Sequence, residues 1–115
     1  MDTAILQNLN EWTASRIATA TRAGNLTCEA VTRACLEHIA AREPAVEAWQ
    51  HLDAEAALAH ARALDRGAAT RGPLFGVPFG VKDIIDTHDM PTEYGSPIHR
   101  GHRPGRDAAC VALMR

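Results

Sequence analysis

The sequence predicts an α/β fold, and three observations predict it. Two segments alternate as strands do, Val46–Leu52 weakly and Gly76–Asp83 strongly. Segments with helical spacing and recognisable caps lie before and between them. From Arg71 to Gly105 helical periodicity stops, and six of the eight glycines and five of the six prolines gather there. The expected architecture is a mixed sheet core flanked by helices. Residues 1–68 form a helical region with one short strand, and residues 69–115 begin the sheet core. Two strands make a poor sheet, so the order α-α-β-α-β-loop-α reads as the opening of a larger α/β domain.

The elements follow in chain order. A helical pattern runs from about Glu11 to Ala23, and Gly24-Asn25 reads as its stop. Thr27 is placed to N-cap a second helix, with Glu29 in its first turn favouring the dipole. Val31, Cys35, Leu36 and Ile39 recur at helical spacing as one apolar stripe. Pro44 is expected to end that helix, because the residue before a proline is pushed out of the helical region. Asp53 reads as the N-cap of an alanine-rich helix to about Arg66, closed by Gly67. Asp107 is expected to cap a last helix through Ala108, Val111, Ala112 and Met114, which stops at Arg115 without a C-terminal signal. That stop reads as truncation.

Composition narrows the function. Apolar content of 46% and charged content of 23% are those of a soluble globular protein. A net charge of −2 gives no support to nucleic-acid or membrane-surface binding. The start, Met1-Asp2-Thr3-Ala4, lacks a basic region and an apolar run, so no signal peptide is expected. No stretch has the apolar length of a membrane helix. Cys28, Cys35 and Cys110 show no framework spacing, which fits a reducing cytoplasm. Cys28 and Cys35 lie two helical turns apart, too far to bridge, and read as core-filling thiols.

Several chemistries fail on spacing. Gly76 to Lys82 lacks the Walker arrangement, and Asp83 stands where a hydroxyl would hold magnesium. No dinucleotide fingerprint occurs. His99-x-x-His102 and His88-Asp89 are possible metal couples, but the first sits among Arg100 and Arg103, and solvated loop histidines are the better reading. No metal is expected.

In Gly76–Asp83, alternation puts Val77, Phe79 and Val81 on one face and Pro78, Gly80 and Lys82 on the other. Lys82 would then stand on a buried-type strand beside small residues, where an amine can be held neutral. Its plainer reading is a lysine reaching from a strand end to water. An ordinary lysine pKa of about 10.4 leaves about one amine in 2,500 neutral at pH 7. Bringing it near 7 disfavours the charge by about 4 kcal/mol, within reach of burial. Asp83 would oppose this by favouring the ammonium, so it is expected to face away and hold backbone amides or loop structure. Ser96, between Gly95 and Pro97, lacks a nucleophile elbow and reads as a turn serine or a hydroxyl near the lysine. Gly95 is expected to supply a positive φ. Tyr94 reads equally as a pocket wall or a structural aromatic.

Three blocks stand in order: Gly72-Pro73-Leu74-Phe75-Gly76-Val77-Pro78-Phe79-Gly80-Val81-Lys82-Asp83, then Pro91-Thr92-Glu93-Tyr94-Gly95-Ser96-Pro97, then Asp107-Ala108-Ala109-Cys110-Val111. Together they resemble the amidase signature family, sharply over Arg71–Arg115 and loosely before it. The resemblance implies the N-terminal part of the amidase-signature fold and hydrolysis of amide C–N bonds by a Ser–cis-Ser–Lys triad. Lys82 matches the catalytic lysine, the ultimate base. Tyr94 and Ser96 become candidates for substrate contact or for support around the amine, and Gly76, Pro78, Gly80, Asp83 and Gly95 for structural support. The glycine- and serine-rich segment that brings the family's serines is absent from these residues, so the chain alone is expected to be inactive. The resemblance implies no cofactor, a small-molecule amide substrate and a cytoplasmic location, with no direct nucleic-acid or membrane partner. As an alternative, it extends to the A-type subunits of the glutamyl-tRNA(Gln) amidotransferases. A non-catalytic chain that binds a complementary half, a homo-oligomer, and a gene fragment without function remain open beside these readings.

Overall fold

A computed structural model describes residues 7–67 and 70–115. The signal-peptide reading of Met1–Ala4 and the expected boundary between residues 68 and 69 lie outside the described residues. Contacts divide the chain into two units, Met1–Ala48 with Asp53–Pro78, and Trp49–Leu52 with Phe79–Arg115.

In the first unit a 3₁₀ turn, Leu9–Glu11, precedes three helices: α1 (Ala14–Arg22), α2 (Cys28–Val46) and α3 (Ala54–Arg66). Each helix begins where a side chain can satisfy an orphan amide. Thr13 accepts from Arg16 N at 3.2 Å, Thr27 from Ala30 N at 3.1 Å, and Asp53 from Ala56 N at 2.9 Å. Thr13, rather than Glu11, therefore sets the start of α1. Gly24 adopts φ +78° just past the end of α1, as a terminating glycine does. Gly67 is the C-cap of α3.

Pro44 does not end α2; it lies inside the helix, near its end. A proline this late loses one hydrogen bond but leaves few following turns to disturb. The chain leaves the helix at Glu47, left-handed at φ 51°, whose amide still reaches Glu43 O at 2.8 Å.

Leu9, Ile17, Leu26 and Val31 form the buried core of this unit, with Trp12, Ala20, Ala30, Ala34 and Val77 packed against it. α2 packs on α3 and on the Leu9–Glu11 turn. Val31 is fully buried, and burying a valine side chain stabilises by about 1.5–3 kcal/mol. Of the expected stripe on α2, Cys35, Leu36 and Ile39 are only half-buried.

The loop after α3 is fastened to α1 by three contacts. The Thr21 hydroxyl lies 2.6 Å from Phe75 O, and Arg71 Nη1 donates to Thr21 O and Arg22 O, both at 3.0 Å. Arg71 thus adds a donor to two carbonyls in the last turn of α1, one of which, Thr21 O, also accepts Gly24 N at 3.1 Å. Gly76, at φ +77°, lies so close that an added Cβ would meet Thr21 Cγ2 at 2.8 Å.

The second unit carries only a 3₁₀ turn, Pro97–His99, and a short helix, α4 (Ala109–Met114). Ala108, not Asp107, is the N-cap of α4, and no side chain caps it. Asp107 is drawn away by His88 and Arg115.

The expected α/β class with a mixed sheet is corrected here. No strand forms among the described residues; the regular structure is helical. The physical reason lies in pairing. A strand's amides and carbonyls need a neighbour, and the second expected strand, Val46–Leu52, does not form. Val46 is the last residue of α2 and Glu47 is left-handed. Alternation from Val77 to Lys82 therefore has no partner to pair with, and those residues are neither helix nor strand.

Candidate functional site

Lys82 ends the irregular segment and opens a turn in which Ile85 N donates to Lys82 O at 2.9 Å. Its side chain is exposed and makes no hydrogen bond or ion pair with a described residue. The expectation of a lysine buried on a core strand is thus corrected. Without a paired strand, alternation assigns no inner face, and Phe79 is also exposed. Gly80 sits against Trp49, whose Cη2 would lie 3.2 Å from an added Cβ. Pro78 and Gly76 belong to the first unit.

Asp83 turns toward the following block. Its Oδ1 accepts Glu93 N at 2.8 Å, its Oδ2 Gly95 N at 3.4 Å, and its carbonyl Tyr94 N at 2.8 Å. Three successive amides therefore close around one residue. Glu93 extends the network, its carboxylate accepting from Gln50 Nε2 at 3.0 Å and from Gly101 N.

The block from Glu93 to Ser96 is a tight turn, with Ser96 N donating to Glu93 O at 3.0 Å. Tyr94 at φ 55° and Gly95 at φ 70° both take positive φ, as a type I′ turn requires. Glycine does so freely, but a bulky aromatic pays about 1–2 kcal/mol. Two contacts hold Tyr94 there: its amide on Asp83 O and its hydroxyl, which donates to Asp86 Oδ1 at 2.6 Å. That bond to a carboxylate, and then the loss of solvent, push the phenol above its ordinary pKa. The Tyr94 ring meets His99 edge-on at 5.2 Å and lies 6.1 Å from His102. Ser96 accepts from Ile98 N at 3.3 Å and caps the Pro97–His99 turn.

A second cluster fastens α4. Asp107 Oδ1 accepts His88 N at 2.8 Å and lies 3.0 Å from His88 Nδ1, while Oδ2 meets Arg115 Nε at 2.8 Å. These donors, led by the His88 amide, hold the Asp107 carboxyl below the ordinary carboxylate range. Potential ligand atoms of His88, Asp89 and Asp107 lie within 4.8 Å of one another. Arg115 also meets Asp89 at 2.7 Å, so both carboxylates already hold a cation. Among the described residues, no helix is long and apolar enough to cross a membrane.

Sequence reasoning passed over one signal. Lys82 is the only lysine in the chain, beside eleven arginines. Arginine cannot be deprotonated in a protein, so Lys82 is the sole side-chain amine able to act as a base. Glu93 and Asp86 were also missed, because nothing in local periodicity marks a hub that ties separate segments.

The Gly- and Pro-rich block with its single lysine and the clasped turn after it both lie in the stretch that a known family covers. The family model described as Amidase matches residues 30–115, and the chain belongs to that family. Its similar relatives are A-type subunits of glutamyl-tRNA(Gln) amidotransferases. The chain is 46% identical over 113 residues to that of Chloroflexus aggregans, covering 95% of this chain and 23% of that protein. The counterpart from Acidothermus cellulolyticus is 42% identical over 113 residues, covering 96% and 22% respectively. That of Solidesulfovibrio magneticus is 51% identical over 85 residues, covering 71% and 17%. The chain spans less than a quarter of the length of these curated relatives. No solved structure matches it.

Proposed function

We propose that this chain is the lysine-bearing part of an amidase-signature hydrolase, with Lys82 as the base of a Ser–cis-Ser–Lys triad. One observation carries the reading: the chain's single lysine falls in the Gly- and Pro-rich block that the family resemblance singles out. In this mechanism the neutral amine accepts a proton through a bridging serine, and the nucleophilic serine attacks the amide carbonyl. The tetrahedral intermediate expels ammonia or an amine, and water cleaves the acyl-enzyme. Tyr94 and Ser96 serve as substrate contacts or as support around the amine. Glycines 76, 80 and 95 with Pro78 and Asp83 shape the backbone that presents the lysine. No cofactor takes part.

The chain's two serines, Ser15 and Ser96, do not form the glycine- and serine-rich segment that the triad needs. The 115 residues alone are therefore expected to show no amidase turnover. A sharp thermal transition together with hydrolysis of simple aryl amides would overturn that. The base role is tested in a full-length relative by replacing the lysine matched to Lys82 with methionine. The expected loss in kcat is about 10²–10⁴-fold. Unchanged turnover would end the proposal.

A second reading is favoured by the names of the relatives. The chain is then the corresponding part of a glutamyl-tRNA(Gln) amidotransferase, from the A-type polypeptide of that enzyme, cytoplasmic and working with a complementary chain. Co-purification with a B-type polypeptide from the source cells supports this reading, and a lone enzyme active on simple amides opposes it.

A further inference from the structure

We propose that Tyr94 and Asp86 are positioning residues that, with the Asp83 amide cradle, withhold both neighbouring carboxylates from Lys82. This deepens the reading of Lys82 as a base and rests on it. Asp83 lies inside the turn that Lys82 opens and Ile85 closes, and Asp86 is the residue after it; a β-turn keeps its own ends within about 7 Å. A long flexible lysine there would ordinarily find a carboxylate, and an ion pair would hold the amine as ammonium. Both acids already hold neutral donors. Asp83 is occupied by the amides of Glu93, Tyr94 and Gly95, two of them on its side chain. Asp86 is occupied by the Tyr94 hydroxyl at 2.6 Å, and its carbonyl by Ala108 N at 2.9 Å.

Every donor in this arrangement is neutral. Neither acid holds a cation, and Lys82 forms no ion pair with a described residue. The strained positive φ of Tyr94 fits the same purpose, because that conformation carries the phenol from the turn to Asp86 while its amide stays on Asp83. A turn built only for compactness has glycine or asparagine at this position.

The test uses the 115-residue chain and its single side-chain amine. Acylation of Lys82 by a water-soluble succinimidyl ester at pH 8, read by peptide mass, reports the availability of the neutral amine. Tyr94→Phe removes one oxygen and frees the Asp86 carboxylate. Labelling of Lys82 is then expected to slow about twofold, the scale of an exposed carboxylate–ammonium contact. Adding Asp86→Asn to Tyr94→Phe restores the parent rate. Asp86→Asn alone keeps an acceptor for the phenol and labels at least as fast as the parent. Equal labelling in parent and Tyr94→Phe overturns the proposal, as does a double variant that stays slow or a slowed Asp86→Asn. The lysine-to-methionine replacement in a full-length relative reports separately on the base. Loss of turnover with unchanged Tyr94→Phe labelling removes the clasp alone, and full turnover removes the base alone.

Discussion

Asp65, at the end of α3, caps α2: its Oδ1 accepts the Cys28 amide at 2.7 Å and its Oδ2 the Glu29 amide at 3.0 Å. A helix N-terminus leaves four unpaired amides, and Thr27 serves only Ala30 N. The second cap, a carboxylate, is supplied by another helix, 37 residues from Cys28. Replacing Asp65 with alanine unpairs both amides and is expected to cost about 1–2 kcal/mol. Urea denaturation followed by helical circular dichroism measures it. An unchanged midpoint would mean that water serves the two amides equally well.

The same carboxylate acts on the Cys28 thiol. Burial first, then the hydrogen bond to Asp65 and its charge, push the thiol up to about 12. Cys28 is 1% exposed whereas Cys110 is exposed. Iodoacetamide at pH 8 is therefore expected to alkylate Cys110 at least about tenfold faster than Cys28. The sign for stability follows from the raised folded value. The contribution is whole below the ordinary thiol pKa of 9.0 and is lost as pH rises from there toward about 12. Cys28→Ser is expected to flatten this alkaline loss, measured as denaturation midpoints between pH 8 and 11.

Gly76 and Gly95 separate space from conformation. Both have positive φ, but an added Cβ at Gly76 meets Thr21 Cγ2 at 2.8 Å and Cys28 Sγ at 3.0 Å, while at Gly95 nothing lies within 4 Å. Gly95→Ala is expected to cost about 1 kcal/mol, from backbone strain alone. Gly76→Ala adds overpacking and is expected to cost about 2–4 kcal/mol. Equal losses in denaturant titrations would show that the Phe75–Gly76 loop yields freely.

Asp107 holds the start of α4 to His88 and to Arg115. Its folded pKa is depressed, the His88 amide being the largest cause. Its contribution is present above the ordinary carboxylate pKa of 3.8 and is lost as pH falls through the lower folded value. Asp107→Asn is expected to remove this acid dependence and to speed exchange of the His88 amide hydrogen at pH 6. Unchanged exchange by NMR would mean that the amide is held otherwise.

Much of the helical layer was legible because its signals act locally. Thr27, Asp53 and Gly67 lie within one turn of the ends they set, so side chain and backbone meet whatever the rest of the chain does. The Lys82 block was legible in the same way, as residue identities at short spacings, and it led to the family directly. Alternation from Val77 to Lys82 was a poorer guide, because it states a preference and says nothing of a partner strand. Asp107 has the position of a cap, but its carboxylate goes instead to His88, 19 residues back.

Taken alone, the amino-acid order determined where α2 and α3 start, where α3 stops, which family the chain belongs to, and that one amine stands among eleven guanidinium groups. Tertiary structure decided the rest: that no sheet forms among the described residues, that Asp65 caps a distant helix, and that Asp86 takes the Tyr94 hydroxyl rather than the lysine. The physical reason is reach. A cap or a turn is settled by atoms a few residues apart, whereas the partner of a strand or a carboxylate is chosen only once packing has brought remote segments within about 3 Å.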